Sequence, residues 1–161
     1  MLNRNMYFGL AALLVAGAAC SKEYTGPGEG LPSGSYALQT INNQPVPLLV
    51  AIRGPVRIEI LSGTFDILST FRFSSSATYR RTENGVATTS VETCVGTYNV
   101  SNLPTQTNVS FSEPGSQNAN CGVQLSPTGV GGKDRNYTGV WDRSNRLTID
   151  FDVTTKSLFV K

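Results

Sequence analysis

The chain has 161 residues, 39% hydrophobic and 15% charged, with 13 basic and 11 acidic side chains and a formal net charge of +2. That near-neutral balance, with Arg80-Arg81 as the only adjacent basic pair, excludes the concentrated basic face of a nucleic-acid binder. The lack of any histidine removes the commonest general base, the commonest metal ligand and every Ser-His or Cys-His nucleophile pair.

In chain order, residues 1–19 read as a secretory signal peptide. Arg4 supplies a positive start, Met6-Tyr7-Phe8-Gly9-Leu10-Ala11-Ala12-Leu13-Leu14-Val15 an apolar core, and Ala16-Gly17-Ala18-Ala19 the small residues before a cut. The apolar run falls short of the roughly 20 residues a spanning helix needs. Small residues directly before Cys20 resemble the lipobox of bacterial lipoproteins, with Gly17 standing where that family prefers Leu. The resemblance implies acylation of Cys20 (palmitate-type chains) and a protein moored by lipid to a membrane of the cell envelope. The alternative is an ordinary signal peptide cut near Ala18 or Ala19, leaving Cys20 as a thiol. Cys20-Ser21-Lys22-Glu23 also resembles the Lys-acidic surface-export signal of some Gram-negative lipoproteins, so the expected location is the outer membrane, on its periplasmic or surface face.

Residues 20–33 then form the lipidated cysteine and a flexible tether, dense in the chain breakers of Gly26-Pro27-Gly28-Glu29-Gly30-Leu31-Pro32-Ser33. As a coil this stretch spans roughly 20 Å. The remainder, 34–161, is enough for one domain. With Cys20 acylated, Cys94 and Cys121 remain as an even exported pair, expected to form a disulfide worth about 3.5 kcal/mol for its 27-residue separation. Two buried thiols are the alternative. A zinc site lacks the ligands to complete it, so no metal and no cofactor are expected.

From Gly34 onward the apolar residues recur with period two, the mark of strands. Val56, Ile58 and Ile60 alternate with Arg57 and Glu59. Phe71, Phe73, Ala77 and Tyr79 predict one long strand, and Gly63 is expected to break or bulge the run before it. Glu83-Asn84-Gly85 predicts a tight hairpin, because Asn-Gly accepts positive φ. Gly96 is expected to switch the inward parity from Val91 and Val95 to Tyr98 and Val100. Val109 with Phe111, Cys121 with Val123 and Leu125, and Leu158 with Val160 predict shorter strands. Residues 142–145 predict a four-residue hairpin loop leading into Leu147, Ile149, Phe151 and Val153. Thr154-Thr155-Lys156 is expected to turn the last two strands. About eight to ten antiparallel strands joined in sequence predict an all-β, up-and-down β-barrel, with a β-sandwich as the alternative.

Gly34-Ser35-Tyr36-Ala37-Leu38-Gln39-Thr40-Ile41-Asn42-Asn43-Gln44-Pro45-Val46-Pro47 resembles the opening strand of small bacterial lipocalin-like lipoproteins, and Gly96-Thr97-Tyr98-Asn99-Val100 is similar to a strand recurring in that group. Tyr36 stands where true lipocalins have tryptophan, and Asn43 where the turn glycine is usual. The resemblance implies a lipocalin-like barrel with a lumen at one end.

Enzymatic patterns fall away on inspection. Asp150 and Asp152 share a strand face opposite the apolar stripe, which suits a solvated exterior better than an acid-base pair. The run Gly129-Val130-Gly131-Gly132-Lys133-Asp134 has Pro127 and Asp134 where a phosphate loop needs Gly and Ser or Thr. The expected function is therefore non-enzymatic: a membrane-anchored barrel that binds a small apolar ligand. The alternative is a structural or interaction lipoprotein with a solid core and an unknown protein partner. Phe65, Phe71, Phe73, Tyr79, Trp141 and Phe151 are the side chains assigned to the lumen.

Overall fold

A computed structural model of the chain describes residues 31–103, 106–122, 124, 131–152 and 154–161. The signal peptide, Cys20 and the tether up to Gly30 lie outside the described residues. Ten strands follow in order: β1 Gly34–Ile41, β2 Gln44–Pro45, β3 Leu48–Arg53, β4 Val56–Ile67, β5 Arg72–Glu83, β6 Val86–Asn102, β7 Thr107–Glu113, β8 Arg135–Trp141, β9 Arg146–Asp150 and β10 Lys156–Val160. The only helical element among the described residues is a 3₁₀ turn, Gly115–Gln117.

The fold is the antiparallel up-and-down barrel expected from the period-two pattern. β4 to β10 pair consecutively, and β1 closes the ring by pairing with β10 on one side and β4 on the other. Eight strands therefore form the wall, which removes the exposed edges an open sheet would carry. Closure along β1 is divided. Its first half pairs with the end of β4, Gly34 opposite Ile67 and Ala37 opposite Thr64. Its second half pairs instead with β2, while the first half of β4 pairs with β3. β2 and β3 thus make a flap that parts the wall at one end.

The other end is sealed. Leu31 and Pro32, inside the stretch read as tether, are buried there in the core. Tyr98 donates from its hydroxyl to the Leu68 carbonyl at 2.6 Å, and the Lys161 amide donates to the Asn145 carbonyl at 2.8 Å. Above this seal the interior is filled by rings. Phe65 stacks on Phe73 at 4.9 Å and meets Phe111 edge-on at 5.0 Å, and Phe111 stacks on Tyr137 at 5.2 Å. Edge and offset contacts at such separations are the favoured aromatic geometries.

Several local expectations need correction. Parity along β6 does not switch at Gly96. Glu92, Cys94, Gly96 and Tyr98 all face inward, while Val91 is 64% exposed. The valines mislead because a carboxylate with its own hydrogen-bond partners takes the inward position at Glu92, and Gly96 continues that row so that the Phe73 ring can lie against the backbone. A Cβ on Gly96 would meet the Phe73 ring at 2.7 Å and press on the Ser112 carbonyl. Gly96→Ala is expected to cost about 3 kcal/mol by overpacking, read as a lower urea midpoint; an unchanged midpoint would place residue 96 on the outer face.

Phe71 does not begin a strand. It sits in the β4–β5 turn at φ 60°, 45% exposed, with its ring against Tyr98. β4 is one strand and not two, and the bulge offered as the alternative is present just before Gly63, between Ile60 and Ser62, where the inward parity changes. Cys121 lies in a turn after the 3₁₀ segment, not in a strand, and Gly122 follows at φ 78°. Val123 and Leu125 are outside the described residues. β9 stops at Asp150, because the Asp152 carboxylate takes hydrogen bonds from the Thr154 amide and hydroxyl, both at 2.7 Å, and so places Phe151, Asp152 and Thr154 in the turn; Val153 is outside the described residues. Lys156 belongs to β10 and Asp152 to this turn, so Asp150 and Asp152 do not share a strand face. The Asn84-Gly85 hairpin and the 142–145 loop stand as read, with Asn84 at φ 49° and Gly85 at φ 81°.

Candidate functional site

At the flap end the described residues leave the lumen unfilled. A cavity of about 690 Å³ opens between the flap, the β9–β10 turn and the long β7–β8 connection. Its two sides differ in chemistry. Leu38 and Ile41 of β1, Leu48 and Val50 of β3, Ile60 of β4 and Phe159 of β10 form an apolar wall. Glu92 and Cys94 of β6, Glu113 of β7, and Arg135 and Tyr137 of β8 form a polar one.

The polar wall is built as a closed network. Glu113 is 1% exposed and faces inward as the next step of the Val109, Phe111 row. Its Oε1 accepts from the Tyr137 hydroxyl at 2.6 Å, and its Oε2 pairs with the Arg135 guanidinium from the adjacent position on β8. A carboxylate so enclosed is tolerable only because both oxygens are satisfied. The same guanidinium reaches the sulfurs of Cys94 and Cys121. Those cysteines form the expected disulfide, with Cα atoms 5.4 Å apart. The sulfurs and the Glu113 carboxylate lie within 4.8 Å of one another. The sulfurs, however, are bonded to each other and Glu113 is committed to Arg135 and Tyr137, so the trio has no ligand set to offer a metal.

The β7–β8 connection is pinned over this wall by four further bonds. Glu92 accepts from the amides of Gly122 at 2.9 Å and Gln124 at 2.6 Å. Asn118 bonds both backbone groups of Val95, accepting at 2.7 Å and donating at 2.9 Å.

Burial raises the phenol of Tyr137, and the Glu113 carboxylate beside it adds to the rise. Tyr79 is raised in the same way, by burial first and then by Glu92. At the sealed end burial pushes the Tyr36 phenol up to about 12, with Asp142 contributing. The free phenol ionises near pH 10. The fold therefore holds these groups in the neutral form. The stability they contribute is complete below about pH 10 and is lost as pH rises from there through the raised values. The urea midpoint is expected to hold near pH 9 and to fall steeply between pH 10 and 12; a flat midpoint across that window would contradict the burial of these phenols.

Fold and cavity together define a one-ended calyx: a sealed aromatic base, an open upper half and a polar patch set into one wall. No family model, no curated protein and no solved structure matches the chain.

The side chains assigned to the lumen divide between these regions. Tyr79 and Phe151 line the cavity. Phe65 and Phe73, 0% and 2% exposed, belong to the packed rings beneath it. Trp141 is buried in the core with Thr107 and Leu147 as its neighbours across the strands, and its indole N–H has no partner among the described residues. Phe71 is on the outside, as described. Glu92, Glu113, Arg135 and Tyr137 were not picked out from the sequence. A signal was present for three of them: extending the inward row of Val109 and Phe111 by two reaches Glu113, and the row of Trp141, Gly139 and Tyr137 ends on Arg135.

Proposed function

We propose that the protein is an exported lipoprotein of the bacterial cell envelope, acylated on Cys20, whose barrel carries a small apolar ligand. The 690 Å³ cavity is the observation that supports this reading over a solid structural barrel. Small-molecule sites occupy about 300–1,000 Å³ and combine apolar walls with a few polar groups that fix orientation. Each methylene the apolar wall takes from water contributes about 0.8 kcal/mol. The buried acids argue for a carrier rather than a catalyst, since Glu113 is held by Arg135 and Tyr137 and Glu92 by two backbone amides.

Membrane attachment falls to the N-terminus. The outward rows are polar, as with Asn108, Ser110 and Ser112 of β7 and Asn136 and Thr138 of β8. A transmembrane barrel would carry an apolar outer band there. Among the described residues no helix is long and apolar enough to cross a membrane.

Two experiments test the proposal. N-phenyl-1-naphthylamine, an uncharged fluorescent probe, should bind saturably at one site, and Ala77→Trp, which fills the cavity from β5, should abolish uptake; uptake unaffected by Ala77→Trp would place the probe elsewhere. Cys20→Ala should release the protein from membranes, and continued dependence on detergent would count against acylation.

A further inference from the structure

We propose that the cavity selects an uncharged amphiphile, an apolar body ending in a single hydroxyl- or carbonyl-bearing head. This rests on the ligand-binding reading above and names the class of ligand for the same site.

The charges around the cavity are already committed. Three carboxylates line it, Glu92, Glu113 and Asp152, against two guanidinium groups, Arg53 and Arg135. Glu113 is bound by Arg135 and Tyr137, Glu92 by the amides of Gly122 and Gln124, and Asp152 by Thr154 and Thr155. Arg135 is engaged by Glu113 and both disulfide sulfurs, and Arg53 donates to the Gln124 carbonyl at 3.4 Å. An anionic head entering here meets one negative charge in excess and no cation left unengaged among the described residues. A cationic head finds each carboxylate already satisfied. Either charge would give up its hydration without a partner to replace it.

What the cavity does offer is hydroxyl groups. Tyr79 is 5% exposed and Ser157 is 3% exposed, and both line the cavity. Among the described residues no hydrogen bond reaches either hydroxyl, and neither oxygen is fully enclosed, so both are open to the cavity. Each can donate and accept, the combination that suits a neutral alcohol or carbonyl. Tyr79 stands on β5 opposite Ile60, and Ser157 on β10 opposite Ile41, so each hydroxyl borders the apolar wall. A guest with its polar end between these two groups leaves its apolar body against Leu38, Leu48 and Phe159.

Competition at the probe site decides the matter. The whole chain, exported from its own Met1 with Cys20→Ala so that no acyl chain of its own competes, is loaded with N-phenyl-1-naphthylamine. Tetradecan-1-ol, tetradecanoate and tetradecylamine, which share one chain length and differ in head charge, then compete for the site. Tetradecan-1-ol is expected to displace the probe at a concentration at least about tenfold lower than either charged compound. Tyr79→Phe should weaken the alcohol about fivefold relative to the probe, whose own affinity for the variant is measured first, by removing one hydrogen bond. Ser157→Ala is the second variant, to be read the same way should Tyr79→Phe fail to fold. Equal or stronger displacement by tetradecanoate or tetradecylamine, or an alcohol affinity indifferent to the substitutions, overturns the assignment of a neutral head while leaving the cavity as a ligand site. Absence of probe uptake overturns the ligand-binding reading and this inference with it.

Discussion

Phe65→Ala is expected to remove about 4 kcal/mol of stability, the upper range for deleting a fully buried ring. Phe65 is 0% exposed and touches Phe73, Phe111 and Phe159 with centroids 4.9, 5.0 and 5.6 Å away. Those partners come from β5, β7 and β10, so no single strand can move inward to fill the space. For a domain of this size such a loss lowers Tm by at least about 10 °C. Phe71→Ala supplies the contrast. That ring lies on the outside of the β4–β5 turn and its truncation should cost under about 1 kcal/mol. Urea titrations of the two variants side by side check the assignment. A loss at Phe71 equal to that at Phe65 would mean that the sealed base is packed from the turn and not from the barrel interior.

The second large effect concerns the disulfide. Replacing Cys94 and Cys121 together by Ala should cost about 3.5 kcal/mol on the chain-entropy account, given the 27-residue separation. The loss has a local signature as well. The β7–β8 connection is held over the cavity by the disulfide and by Glu92 and Asn118. Without the covalent link, the amides of Gly122 and Gln124 should exchange with solvent far faster than those of β4 and β5, which are paired along their whole length. Uniform acceleration across the barrel would show that the bridge stabilises the whole fold and does not specifically hold the connection. Arg135 loses its contacts with both sulfurs in this variant, so amide exchange, and not probe affinity, isolates the loosening of the connection.

Much of the barrel was legible because one physical rule governs it. A wall with one buried and one wet face writes its side chains with period two; β7 and β9 obey that rule residue by residue, and β4 does so on either side of its irregularity at Ile60–Ser62. The Asn84-Gly85 turn was legible for an equally local reason, positive φ at two successive residues. Closure was not. The pairing of Gly34 with Ile67 joins residues far apart in the chain, and nothing in either strand names its partner. The β2–β3 flap, which opens the cavity, arises from that same divided pairing. The site was hidden for a different reason. Hydrophobic patterning treats a polar residue at an inward step as the end of a strand or as a change of face, and Glu92, Glu113 and Arg135 occupy such steps. The burial of Glu92 and Glu113 depends on partners from neighbouring strands and from a long connection, which local spacing does not encode. Phe71 fails in the opposite sense: an aromatic at the correct spacing was taken into the barrel, although its backbone is in a turn.

The central claim is that the open half of this barrel is a container. Native mass spectrometry of the protein, isolated gently from the cells that make it, measures that most directly. The account predicts a retained species heavier than the protein alone by one small molecule, lost on collisional activation and absent from Ala77→Trp. A single species at the mass of the protein alone, in preparations whose cavity still takes up the fluorescent probe, would contradict it.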